Sequence, residues 1–214
     1  MVSKKEFALV YGAMLGDGCL SRVGKYHYFV ELCGNLKEDF QFLNNMNCIL
    51  SKLRGKSIRI KKRLDQNKAE LSCSSKKLFS IFESYDFPVG KKGPDLKITN
   101  KLDSFLYKEI IQGYFATDGC LVLANNNGIM YPRIEFSSIS QSLLKQVLSF
   151  LLNIGMKGKL YVSHKYKNQW HDLYRIQFNG MNNLNIFVDC IGFVNPKHIQ
   201  KLKKYRKWRC RDFH

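Results

Sequence analysis

The chain has 214 residues, and its 35 lysines and arginines against 17 acidic residues give a formal net charge of +18. Hydrophobic residues make up 45% of the chain, a fraction that is ordinary for a protein with a packed core. We therefore expect the basic residues to lie on the surface of a folded protein and not in a disordered tail. This excess predicts a polyanionic partner, with nucleic acid ahead of an anionic membrane surface. No apolar run approaches the roughly eighteen residues of a membrane span, and we expect no membrane partner.

Cysteine and histidine usage points to a compartment but not to a metal. The seven cysteines are scattered singly without a C-x-x-C pair, which indicates free thiols in a reducing, intracellular compartment and argues against zinc. The five histidines are isolated, and we expect them at the surface. The apolar N-terminus imitates a secretory signal, but the same pattern recurs in mid-chain and no cleavage site follows it, so we interpret it as core.

The first predicted element is an apolar helix whose sequence the chain repeats. Residues Ala8 to Leu20 read ALVYGAMLGDGCL, and residues Glu109 to Val122 read EIIQGYFATDGCLV. Small residues stand four apart in both copies, where they share one helix face and allow two helices to cross in contact. These predicted interface residues are Gly12, Gly16, Gly113 and Thr117.

Each copy ends in an Asp-Gly pair. The glycines, Gly18 and Gly119, suit the left-handed turn that ends many helices. If the helices pack side by side and parallel, Asp17 and Asp118 meet at the end of the seam. Two carboxylates at two helix C-termini lie in a negative field that attracts divalent cations.

The remaining elements follow the same order in both halves. After the first motif we predict a hairpin over 20–34 and an amphipathic helix over 36–53. A strand over 56–63 with one basic face, a turn over 65–68 and a strand over 69–73 that continues the apolar face form a second hairpin, and a helix runs from the cap Ser75 to Tyr85. The loop-forming stretch 87–95 is the best boundary, giving halves 1–95 and 96–214. The second half repeats this order with a hairpin over 121–137, a helix from Ser140 to Gly155, strands over 159–167 and 173–179, a helix over 181–191 and a basic, helical tail over 196–211.

The two motifs, GAMLGDG and GYFATDG, resemble the signature helices of the LAGLIDADG homing endonucleases in their monomeric, two-motif form. The resemblance implies an α+β fold of two pseudo-symmetric αββαββα halves, packed through the motif helices, with a DNA-binding β-sheet saddle. This sequence departs from the family pattern at Thr117, which is bulkier than the glycine or alanine usual at that position.

The same resemblance implies a metal-dependent cleavage site. Its metal-site residues are Asp17, Asp118, Gly16 and Thr117, with Mg²⁺ or Mn²⁺ as the cofactor. The family also places a lysine after the third element of each half, which here matches Lys92, with Lys91 as a competitor, and Lys197. Asn35 and Ser138 match the polar positions that organise water. For any lysine of so basic a chain, a phosphate contact or plain solvation is about as good an interpretation.

The strand faces away from the predicted core supply the candidates for DNA contact. Arginine, lysine, asparagine and glutamine can bind base edges, and a two-stranded ribbon fits the major groove. The predicted DNA-binding residues are Arg22, Lys25, Tyr26, Tyr28, Arg59, Lys61, Arg63, Asn125, Asn127, Arg133, Tyr161, Lys165, Lys167, Arg175 and Gln177. The basic tail, 201–211, is expected to bind phosphates, which position a protein without specifying sequence.

These observations favour a site-specific endonuclease that acts as a monomer on double-stranded DNA and leaves, by family resemblance, short 3′ overhangs. Two alternatives remain open on the same fold: an RNA maturase that binds its intron RNA, and a non-catalytic DNA-binding regulator. An aspartic protease is disfavoured because Gly follows each Asp directly. An insert of the protein-splicing type is disfavoured because the chain begins with Met and shows no splicing block before the first motif.

Overall fold

The computed structural model describes residues 1–166 and 171–211. The first half runs α1 (Lys4–Asp17), β1 (Gly18–Val23), β2 (His27–Asn35), α2 (Phe40–Arg54), β3 (Ile60–Arg63), β4 (Lys68–Ser74) and α3 (Lys76–Ser84). A 3₁₀ turn (Ser104–Leu106) leads into the second half, which runs α4 (Tyr107–Asp118), β5 (Gly119–Asn126), β6 (Ile129–Ser138), α5 (Gln141–Asn153), β7 (Gly158–His164), β8 (Leu173–Asn179), α6 (Gly180–Cys190) and α7 (Pro196–Arg211). The predicted αββαββα order is confirmed in both halves, and α7 follows the second.

Each half contains one four-stranded antiparallel sheet, in the order β1-β2-β4-β3 and β5-β6-β8-β7. Alternate strand residues face opposite sides of a sheet. One side carries fully buried residues such as Leu20, Val30 and Leu71, or Leu121, Ile134 and Ile176, and packs on the helices. The other side, which we call the open face, carries mostly polar and partly exposed residues.

The two motif helices cross in direct backbone contact. A Cβ on Gly12 would overlap the carbonyl oxygen of Ile110, and a Cβ on Gly113 would overlap that of Leu9. Further along, a Cβ on Gly16 would overlap the hydroxyl of Thr117. Because residue numbers rise together along both helices, α1 and α4 run in the same direction. The predicted interface of small residues is present, and Thr117 fits it because it lies opposite a glycine.

A single core joins the two halves. Tyr11 and Met14 on α1, and Ile110 and Tyr114 on α4, are buried, and they belong to one continuous hydrophobic cluster that reaches both sheets. In the described part of the chain, no helix has the length and apolarity to cross a membrane. All seven cysteines lie within the described residues and are unpaired.

The predicted role of the two motif glycines is wrong. Gly18 and Gly119 have extended backbones, with φ of −87° and −84°, and not the left-handed turn expected of a helix-ending glycine. Each aspartate instead ends its helix and the chain passes directly into a strand. A Cβ on Gly18 would overlap Met14, and one on Gly119 would overlap Phe115, so these positions need glycine for space.

Two elements start later than predicted, and hydrogen bonds explain both shifts. Helix α2 starts at Phe40 because the side-chain oxygen of Asn35 accepts the N–H groups of Lys37 and Glu38 and holds a turn there. Strand β3 starts only at Ile60 because the backbone of Ile58 bonds to side chains of α2 and not to β4.

The expectation of surface histidines fails at His198. This residue of α7 is buried between the rings of Phe115 and Phe193. Burial lowers its pKa to about 4, and the neighbouring Lys197 charge adds to the effect, so the imidazole is neutral at physiological pH. His198 therefore packs as a core residue.

Candidate functional site

The seam between α1 and α4 ends in two carboxylates. Asp17 and Asp118 are the last residues of their helices, and both retain access to solvent. A Cβ built on Gly16 would lie 3.1 Å from the carboxyl carbon of Asp118, so this side chain lies against the backbone that precedes Asp17. The small residues of the seam thus bring together two acids that are about a hundred positions apart in the chain.

Their surroundings resist ionisation of the pair. Partial desolvation by the surrounding protein raises the pKa of Asp118 to about 7, and the negative charge of Asp17 adds to that rise. The pKa of Asp17 is also raised, mainly by burial on its protein side and further by Asp39, although Lys92 opposes the change. Two close carboxylates with unfavourable solvation are an arrangement that a cation would stabilise.

Lys92, in the segment that follows α3, extends its side chain to the same site. Its ammonium group donates to the carbonyl oxygens of Met14 at 3.3 Å and Leu15 at 3.0 Å, and also to that of Gly16. These are acceptors at the C-terminus of α1, where the helix dipole favours a cation. Burial lowers the pKa of Lys92, whereas the charges of Asp118 and Asp17 oppose that shift.

Lys197, on α7, also lies near the two aspartates, but its ammonium group has a different kind of partner from that of Lys92. Its ammonium group lies 2.8 Å from a carboxylate oxygen of Asp39, and its charge lowers the pKa of both Asp17 and Asp118. Asp39 also accepts a hydrogen bond from the side chain of Asn195 at 2.7 Å. Asn195 in turn donates to the carbonyl oxygen of Ala116 at 2.9 Å, close to the end of α4.

The predicted water-organising residues are partly engaged in local turns. The side-chain oxygen of Asn35 accepts two backbone N–H groups ahead of α2, and the hydroxyl of Ser138 accepts the N–H of Ser140. Both residues end the second strand of their hairpin, as expected. Their role in organising water stays a prediction.

The chemistry of the paired acids fits a hard divalent cation such as Mg²⁺, which binds oxygen and retains several waters. Among residues 1–166 and 171–211, no three histidine, cysteine or acidic side chains come together as a ligand set. Asp17 and Asp118 would therefore hold the metal only together with water or phosphate oxygens.

Six predicted DNA-binding residues lie together on the open faces. In the first half, Lys61 and Arg63 project there from β3, as the pairing with Glu70 and Lys68 shows. The second half contributes the other four: Arg133, Tyr161, Arg175 and Gln177.

A buried glutamate organises cations on each open face. Glu135 is 7% exposed and pairs with Arg133 at 2.5 Å and Arg175 at 3.6 Å. In the first half, Glu70 pairs with Arg63 at 3.3 Å and with Lys68 at 3.7 Å. Each acid restricts the orientations of two cations that remain partly exposed.

The other predicted contacts lie elsewhere. Arg22 lies 5.2 Å from the centre of the Tyr28 ring, and that ring packs against Phe79, so Arg22 and Tyr28 belong to the helix side of their sheet. Lys167 lies outside the described residues. The remainder occupy turns and strand ends: Lys25, Tyr26, Arg59, Asn125, Asn127 and Lys165.

Sequence reasoning missed three residues of this region. Asp39 and Asn195 are buried, and an isolated acid in an amphipathic segment or an asparagine before proline carries no signal of a tertiary contact. Lys68 was predicted to end a turn, yet it begins β4 and lies on the open face. Its position two residues before Glu70 in an alternating stretch is the signal that could have placed it there.

Comparison with known proteins agrees with this geometry. Residues 106–192 match the family model described as a LAGLIDADG-like domain. The chain has the fold of the LAGLIDADG homing endonucleases, in the form with two motifs on one polypeptide, which confirms the predicted resemblance.

Two crystal structures illustrate the likeness. The complex of I-DmoI with DNA and Ca has a TM-score of 0.67 and 19% identity, covering 95% of this chain and 100% of that one. The I-LtrWI LAGLIDADG homing endonuclease bound to target DNA has a TM-score of 0.62 and 15% identity, covering 96% of this chain and 89% of that one.

Curated relatives match over most of this chain. A probable translation initiation factor IF-2 of Methanocaldococcus jannaschii is 27% identical over 198 residues, or 90% of this chain. The probable initiation factor IF-2 of Thermococcus kodakarensis is 25% identical over 204 residues, or 94% of it. The chain spans only 15% of the length of each of these relatives.

Proposed function

We propose that this protein is a metal-dependent, site-specific endonuclease that cuts both strands of a long, nearly palindromic DNA target. The main observation is that Asp17 and Asp118 lie close together where each motif helix passes into the first strand of a sheet, and that the open face of each sheet carries paired cations. The net charge of +18 supports a nucleic-acid partner. The structures of similar fold, which are described as complexes of homing endonucleases with target DNA or with DNA and divalent ions, support the same class of activity.

The open faces would bind the two halves of the target. Arg133 and Arg175, held by Glu135, can donate to guanine in the major groove because their guanidinium groups are already oriented. Lys61, on the open face of the first half of the protein, would contact a phosphate or a base in the other half of the DNA target. One chain supplies both faces, so we propose that a monomer binds and cuts.

The aspartates would act on the scissile phosphates. A bound Mg²⁺ or Mn²⁺ supplies neutralisation of the phosphate, activation of water and stabilisation of the leaving oxygen. Asp17 and Asp118 would hold it. Lys92 and Lys197, whose charges lie close to both acids, would add positive charge beside the reacting phosphates.

The test is cleavage of a genomic or randomised DNA library with Mg²⁺, followed by sequencing of the cut ends. We expect cuts on both strands at one related set of sites, and none in EDTA. The Asp17→Asn and Asp118→Asn variants should bind the recovered site with unchanged affinity and cut it at least about a hundredfold more slowly. Binding without cleavage under any divalent ion would favour the DNA-binding regulator, and binding of a structured intron RNA alone would favour the maturase.

A further inference from the structure

A buried polar cluster connects the two halves beside the aspartate pair. Asp39 belongs to the first half, whereas Asn195 and Lys197 lie at the start of α7 in the second. Asp39 is 8% exposed and Asn195 is fully buried. A buried carboxylate is costly unless it is paired and hydrogen-bonded, and here both conditions are met across the boundary between the halves.

Helix capping does not account for this acid. Asp39 occupies the position before α2, but its side chain makes no hydrogen bond to the first N–H groups of that helix. One carboxylate oxygen accepts the N–H of Asn35 at 2.9 Å, and the other faces Asn195 at 2.7 Å and Lys197 at 2.8 Å. The carboxylate is therefore directed at the site and not at its own helix.

The corresponding position in the second half is different. Ser140 precedes α5, caps it through the N–H of Leu143, and donates its hydroxyl to the carbonyl oxygen of Leu96. No charge is involved there. The two lysines also differ: Lys92, from the first half, donates to neutral carbonyl groups of α1, whereas Lys197, from the second half, forms an ion pair with Asp39. The two lysines are thus held in place by different interactions.

We infer that Asp39 is a positioning residue of the cleavage site. Asp39 fixes Lys197 directly and the end of α4 through Asn195. Because the second half has a serine and not an acid at the equivalent position, the two DNA strands are cut at unequal rates. The inference rests on the proposed endonuclease function. Loss of the carboxylate would release the Lys197 side chain and leave Asn195 with one partner fewer. The effect should fall on the strand whose phosphate lies closest to Lys197.

The test measures the nicking rate of each strand separately, on a duplex labelled differently on its two strands and under single-turnover conditions. In Asp39→Asn, we expect the rate on one strand to fall about tenfold or more, whereas the other changes far less. The control is Glu38→Gln, which removes a negative charge from the adjacent, exposed position and should leave both rates unchanged.

A double variant separates positioning from general destabilisation. Lys197→Gln should slow the same strand, and adding Asp39→Asn to it should cause little further loss, because the acid acts through the lysine. A structural role would slow both strands alike and add to the effect of Lys197→Gln. If Asp39→Asn does not fold, Asp39→Glu keeps the charge but moves it, and should produce the same strand bias.

The possible results separate a failure of the Asp39 positioning role from a failure of the proposed endonuclease function. Absence of cleavage by the unmodified protein overturns the proposed function and this inference together. Cleavage by the unmodified protein, with equal losses on both strands in the Asp39 variants, overturns the positioning role alone.

Discussion

At the scale of single residues, the aspartate pair makes folding stability depend on pH. Asp118 has a pKa of about 7, raised from 3.8 mainly by burial and then by the charge of Asp17. Between these values the folded protein holds a proton that the unfolded chain has lost. Folding stability therefore falls as pH rises from about 4 to about 7, and the unfavourable contribution is complete above that range.

Replacing the acid should remove this pH dependence. We expect the urea midpoint of Asp118→Asn in metal-free buffer to exceed that of the parent protein at pH 8, with the difference shrinking towards pH 5. Asp65→Asn, at an exposed turn, serves as the control and should not alter the parent profile. An equal gain at both pH values would contradict a raised pKa.

Where the chain repeats itself, the sequence correctly predicted which two acidic residues lie close together, while their role stays a prediction. The register between the two motifs was enough to select Asp17 and Asp118. It had no access to Asp39 or Asn195, because these partners are 156 positions apart in the sequence and only folding brings them into contact. It also selected Arg22 and Tyr28 from the two strands of a hairpin whose facing direction was not yet fixed, and a shift of one residue exchanges the two faces of a strand.

At the scale of elements, the α1–α4 seam is defined by absent side chains. We predict that Gly12→Ala destabilises the protein by about 2 kcal/mol or more, since the new methyl group would overlap the Ile110 carbonyl and force the helices apart. Alanine is otherwise the better helix former, so the sign of the change is diagnostic.

The matched comparison is Gly93→Ala, where an added Cβ has open space and the backbone is not left-handed. Chemical denaturation of both variants measures the difference. If Gly12→Ala were as stable as Gly93→Ala, the helices would not be in backbone contact.

The basic helix α7 makes a second prediction at this scale. Its inner side packs through His198, Leu202 and Tyr205, and its outer side exposes Lys203, Lys204 and Lys207. If these cations bind phosphate, replacing the three with glutamine should reduce the slope of log affinity against log salt concentration by about 0.9 for each phosphate that the helix no longer neutralises.

A second triple variant, made on other helices, controls for net charge. Lys77, Lys108 and Lys145 are also exposed, but they lie on α3, α4 and α5. Filter binding or fluorescence anisotropy over a salt series measures both slopes. Equal slopes for the two triple variants would show that α7 contributes only to the overall charge.

At the scale of the whole molecule, the two halves share one hydrophobic cluster. We therefore predict one cooperative unfolding transition, with coincident denaturation curves from far-UV circular dichroism and tryptophan fluorescence. Separate transitions would mean that the halves fold independently and that the seam adds little stability.

The overall architecture was largely predictable because each level of the sequence agreed with the next. Helical periodicity, turn residues such as Asn127-Gly128 and the duplicated motif all indicated the same order of elements. What the sequence lacked was the space around Gly18 and Gly119. Their requirement for glycine comes from Met14 and Phe115 and not from their backbone conformation, and only the packed structure supplies that reason.

The match between Thr117 and Gly16 has a consequence for recombining such proteins. The hydroxyl of Thr117 fills a space that exists only because Gly16, which faces it, has no side chain. A larger residue at position 16 would therefore not fit against this threonine. A chimaera that joined this C-terminal half to a foreign N-terminal half would need glycine facing that threonine. Designers who wish to combine open faces from different parents would have to transplant this pair before altering any residue proposed to contact DNA.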